Sequence, residues 1–181
     1  MREYLPLATQ CLMAGVFASA SFGKLRSRED FGRFVTTVRK LTMREGASTV
    51  RIAAAFAALE TLTAVLIAVP ATARIGFGLA SALLTVFIGV VFRAVRGRVF
   101  AECGCFGRHG SVMSYPLLLR NAALLAIAVT GAVLAAPVSP LGLAGHALAL
   151  AAGIVAASAL LRYYDHAVTA VLMRFRPKAG T

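Results

Sequence analysis

Apolar residues run through this chain in five long stretches, Tyr4–Phe22, Ile52–Val69, Arg74–Phe92, Tyr115–Ala136 and Leu141–Leu161, divided by shorter polar segments. Each stretch is apolar on all sides, without the period-2 alternation of a half-buried strand, so each predicts a helix surrounded by apolar material. The fourth covers about 33 Å as a helix, enough for a hydrocarbon core of about 30 Å. Ser114 and Pro116 suit its start, Pro70 ends the second stretch, and Pro137 and Pro140 mark the turn between the last two. Small residues recur every fourth position at Gly15, Ser19 and Gly23, and again at Gly145, Ala149, Gly153 and Ala157. Such stripes give smooth faces on which membrane helices pack closely.

Two polar segments carry a different pattern. In residues 28–45, Phe31, Phe34, Val35, Val38 and Leu41 fall at helical spacing, while Arg33, Arg39, Lys40 and Arg44 fill the other positions. This predicts a basic amphipathic helix lying in the lipid headgroup region. The tail at 162–176, with Val168, Val171, Leu172 and Phe175, reads as a second surface helix. The expected fold is therefore an all-α membrane bundle of about five spans, with four as the alternative, forming one integral membrane domain over 1–181.

Composition agrees: 59% of the 181 residues are hydrophobic and 14% charged, which places the chain among membrane proteins. A formal net charge of +12 would suggest nucleic acid in a soluble chain, but here the basic residues lie between the apolar runs. That arrangement reads as topology and contact with anionic membrane lipids, with no nucleic acid partner. Seventeen of the 19 Lys and Arg residues fall in the links after the first and third runs and in the tail, leaving Arg2 and Arg74 for the other side. The positive-inside rule then puts the amino terminus outside and the tail in the cytoplasm of a multi-pass inner (plasma) membrane protein. The first run also resembles a signal peptide, with Ala18-Ser19-Ala20 as a cleavage site. Its dense positive charge comes after the run rather than before it, which favours a retained anchor.

Chemistry concentrates in Cys103-Gly104-Cys105-Phe106-Gly107, a polar break between the third and fourth runs. Two thiols one residue apart can close on each other, hold a metal or sit idle in a turn. In an extended chain, residues i and i+2 lie near the limit of about 7 Å for disulfide closure, and Gly104 lets the backbone bend further. Arg98, Arg108 and His109 would favour a thiolate and Glu102 would oppose it. Cys103, Cys105, His109 and, if the tail folds back, His166 make a loose set for Zn²⁺, and the thiols alone suit Cu(I). Glu60 stands mid-way along the second run, where an ionisable residue is costly and calls for a partner; Lys24 is the candidate. A protonated, hydrogen-bonded packing role for Glu60 is the competing reading. His146 and Cys11 read as packed residues.

Gly23-Lys24-Leu25 closing the first helix, a basic amphipathic segment, Glu60 in the second run, and Arg96-Gly97-Arg98 leading into Cys-Gly-Cys-Phe-Gly together resemble the methylamine-utilisation MauE family, related to DoxX-like membrane proteins. The resemblance runs to about residue 136. It implies a polytopic membrane protein acting with a thioredoxin-like partner to make or reshuffle disulfides while an exported enzyme matures. In such a thiol–disulfide oxidoreductase, Cys103 and Cys105 would be the reactive pair, with Lys24, Glu60, Arg98, Arg108 and His109 in support. A thioredoxin-like protein, or a quinone as in vitamin K epoxide reductase-like enzymes, would reset the pair. Maturation of an exported enzyme asks for thiols outside, whereas the charge split places them inside. A relay that crosses the membrane, basic segments on the unexpected face, or one span more or fewer would each reconcile the two. A metal-binding membrane protein and an assembly factor without chemistry are the alternatives.

Overall fold

The computed structural model describes residues 4–42, 46–96, 102–103, 111–112, 115–135 and 142–174. These form six helices: α1 (Tyr4–Leu25), α2 (Arg28–Thr42), α3 (Ala47–Ala68), α4 (Ala73–Arg96), α5 (Tyr115–Leu134) and α6 (Gly142–Arg174). A 3-10 turn at Pro70–Thr72 joins α3 to α4. Two short strands, β1 (Glu102–Cys103) and β2 (Ser111–Val112), pair antiparallel with Glu102 opposite Val112 and Cys103 opposite Ser111. The protein is an all-α membrane bundle. Among the described residues, four helical segments are long and apolar enough to cross a membrane, and Ala144–Leu160 is a shorter apolar stretch within α6.

The bundle is built around α1. Of its apolar window 56% is buried, against 33% for the other three long segments, and it packs against α3, α5, α6 and α2. Its small residues make this possible. A Cβ placed on Gly15 would come within 2.7 Å of the Gly153 carbonyl oxygen, and one on Gly153 within 2.7 Å of Cys11. Ser19 and Ser158 share a hydrogen bond of 2.7 Å one turn further along. The two stripes of small residues therefore face each other. Cys11, Gly15 and Ser19 ascend α1 as Gly153, Ala157 and Ser158 ascend α6, so these two helices run parallel.

Three differences from the sequence expectations stand out. The fifth run and the tail form a single helix through Arg174 instead of a span and a separate surface helix. No Gly or Pro lies between Gly153 and Pro177 to interrupt it. The apolar stripe of α2 is not turned to lipid: Phe34, Val35 and Val38 pack on Ala53 of α3, with Ile52 and Phe56 beside them. The second run begins earlier than its apolar residues suggest, at Ala47 behind Gly46, whose φ of 88° is left-handed and suits glycine. Pro137 and Pro140 lie outside the described residues.

The end of α3 shows how a helix closes inside an apolar medium. Pro70 has no N–H to offer the Leu66 carbonyl, which accepts from the Thr72 hydroxyl at 2.9 Å. The Ile67 carbonyl accepts from Gln10 Nε2 at 2.6 Å. His146 Nε2 lies 2.9 Å from the Ala68 carbonyl. Side chains of α1 and α6 thus satisfy acceptors that lipid could not. These contacts also gather the start of α1, the end of α3 and the start of α6 at one end of the bundle.

Candidate functional site: a buried ion pair beside the cysteine hairpin

The opposite end of the bundle holds the candidate site. After α1, Ser27 caps α2: its hydroxyl accepts the Asp30 backbone N–H at 3.0 Å and donates to Asp30 Oδ2 at 2.7 Å. The cap starts α2 within three residues of Leu25, so it folds back onto α1 and α3. Its outward face is charged, with an Arg33–Glu29 pair one turn apart. Its inward face brings the Phe34 ring to 4.8 Å from Lys24 Nζ.

Lys24 donates to both carboxylate oxygens of Glu60, at 2.5 Å each. The lysine is wholly buried and Glu60 is 6% exposed. Two opposite charges sunk in an apolar bundle survive only with close geometry and further partners. Here the one ammonium bonds both carboxylate oxygens and also lies over an aromatic face, a contact worth about 2 kcal/mol when desolvated. The structure thus unites Glu60, the charge singled out within the second run, with Lys24, its candidate partner just past the first. Sequence reasoning did not assign Phe34 to this site; its signal was only a place in the apolar stripe of α2.

In the sequence the cysteine motif lies between α4 and α5. The β1 backbone, which includes Cys103, lies alongside α2, with Cα atoms within 8 Å. Arg98, Cys105, Arg108 and His109 lie outside the described residues. Among the described residues no group of three His, Cys, Asp or Glu side chains comes together, and Cys105 and His109 of the metal alternative are not among them. Cys11 is buried in α1 against Gly153, at the far end. His146 bonds the Ala68 carbonyl there as well. Arg120, counted in the sequence among the link charges, is buried within α5 and followed by buried Asn121; a polar residue six positions into an apolar run was the signal for it.

The family model described as "Methylamine utilisation protein MauE" matches residues 2–134. The chain belongs to the MauE family. Two curated relatives, each named "Methylamine utilization protein MauE", support this. The protein of Paracoccus denitrificans is 35% identical over 159 residues, covering 86% of this chain and 82% of its own. That of Paracoccus versutus is 32% identical over 160 residues, covering 87% and 82%. No solved structure matches. The MauE match takes in α1 to α5, hence the ion pair, α2 and the Cys-Gly-Cys motif; α6 follows it.

Proposed function

We propose that this member of the MauE family is an inner-membrane thiol–disulfide relay that works with a thioredoxin-like protein in maturing another protein. What supports the reading is the Cys103-Gly104-Cys105 motif in the sequence between α4 and α5, with Cys103 in β1, whose backbone lies alongside α2. A cysteine in that connection, outside the helices, can meet a protein partner; one packed like Cys11 cannot. In the step envisaged, the thiolate of one cysteine attacks a sulfur of a disulfide in the maturing protein, its partner in the exchange. The partner's S–S bond breaks, its leaving thiolate takes a proton, and a mixed disulfide forms. The second cysteine, losing its proton, then attacks the mixed disulfide. Two electrons have passed to the partner, which leaves as a dithiol, and Cys103 and Cys105 are joined. The dithiol of a thioredoxin-like protein restores the pair by the same exchange. The names of the two Paracoccus relatives favour methylamine utilisation as the setting.

Single Cys103→Ser and Cys105→Ser variants test this. Each is expected to abolish maturation of the partner while leaving the protein in the membrane, because a bond across one residue closes too small a loop to stabilise the bundle. Loss of the resolving cysteine traps a partner in a band that reductant dissolves, and loss of the attacking cysteine traps nothing. Two active single variants would overturn the relay. Loss of bound metal with no trapped partner would put metal binding in its place.

A further inference from the structure

We infer that Phe34 is a positioning residue, through which the buried Lys24–Glu60 pair sets the place of α2 and so of β1, the strand that carries Cys103. The inference rests on the relay reading for its chemistry and on a chain of contacts for its geometry. Glu60 holds Lys24 through both carboxylate oxygens, so the ammonium has little freedom. Phe34 lies over that ammonium, and β1 lies alongside α2. Each link joins a different element: α3 to α1, α1 to α2, α2 to β1.

The element in the middle needs such an anchor. With 15 residues, α2 is at the length where an isolated helix is marginal in water. Its outward residues Arg33, Arg39 and Lys40 are exposed, and the ion pair among them, Arg33 with Glu29, lies within the same helix. What fixes it is the face of Phe34, Val35 and Val38. Val35 and Val38 supply area without direction, since apolar contact tolerates sliding and rotation. Phe34 supplies direction, because a cation is attracted to the face of a ring and not to its edge. Thiol exchange is sensitive to such placement, as the attacking sulfur must line up with the bond it breaks.

The test is the rate at which Cys103 is alkylated by a maleimide after reduction. It is read by peptide mass spectrometry on the full chain in lipid nanodiscs, in a Cys11→Ser background so that only the pair reports. The same samples are titrated against glutathione to obtain the potential of the pair. Phe34→Leu keeps the apolar packing and removes the ring. It should change the alkylation rate about two- to thirtyfold, the range in which coupling mutations act, and Glu60→Gln should change it in the same direction. Phe34→Tyr, which keeps the ring, should return the wild-type rate, and Lys40→Gln on the outer face should leave it unmoved. Equal rates for wild type and Phe34→Leu would overturn the inference, as would a Lys40→Gln effect of the same size. If Glu60→Gln does not accumulate, Phe34→Leu alone decides. A wild-type pair that never forms a reducible bond would sink the relay instead, and the alkylation rates would still judge the role of Phe34.

Discussion

Lys24 and Glu60 show what a single charge does in an apolar bundle. Removing one partner strands the other, at a cost of about 3–5 kcal/mol, whereas removing both leaves nothing uncompensated. Lys24→Met and Glu60→Gln should therefore each lower the melting temperature of the purified protein in detergent, and the double variant should recover most of the loss. Additive losses in the double variant would mean that the two side chains do not act as a pair. The pairing was legible in the sequence because an acid in mid-span and a lysine at the end of the preceding span are both rare there. The aromatic ring over the lysine was not legible, since Phe34 has the same place in the stripe whichever surface α2 meets. Arg120 was misread for a related reason: a positive-inside count registers that an arginine lies near a link, not whether it points into the bundle.

Among the elements, α3 depends on its neighbours for a finished end. His146→Leu would leave the Ala68 carbonyl without the donor it has from α6, and Thr72→Val would do the same to Leu66. Each should cost about 1–3 kcal/mol, the penalty for orphaning a buried acceptor, visible as earlier thermal unfolding. Gly15→Ala should do more harm than its single methyl suggests. The new Cβ meets backbone of α6 at 2.7 Å, so the helices must part; reduced accumulation in the membrane is the outcome to measure. The helices themselves were legible because length and apolarity suffice to mark a span. The direction in which α2 faces was not, because an apolar stripe is equally content against lipid or against Ala53. Nor was the unbroken course of α6, since a change from uniform to amphipathic pattern needs no change in backbone.

For the whole molecule, the contacts sort the elements by end without reference to charge. Gln10, Ala68, Thr72 and His146 meet at one end. Lys24, α2 and β1 meet at the other, toward which α6 also runs. The described basic residues after α1 and on α2, Arg26, Arg28, Arg33, Arg39 and Lys40, lie at this second end, which the charge split assigns to the cytoplasm. A reporter fused after Thr181 should accordingly be active in the cytoplasm, and a thiol-specific reagent that cannot cross membranes should reach Cys103 from that side alone. Activity of a periplasmic reporter at Thr181 would reverse the orientation.

The fit of Gly15 against Gly153 has a consequence for how the protein is made. The ribosome delivers α1 before α6, yet these two pack so closely that a Cβ on either Gly15 or Gly153 would clash with the other helix. Until the final helix arrives, the glycine face of the first stands open to lipid, where a neighbouring chain's small-residue stripe could take the place meant for α6. The first helix thus waits for its mate until α6 is made, and a chain that stops before residue 142 leaves α1 bare along one side.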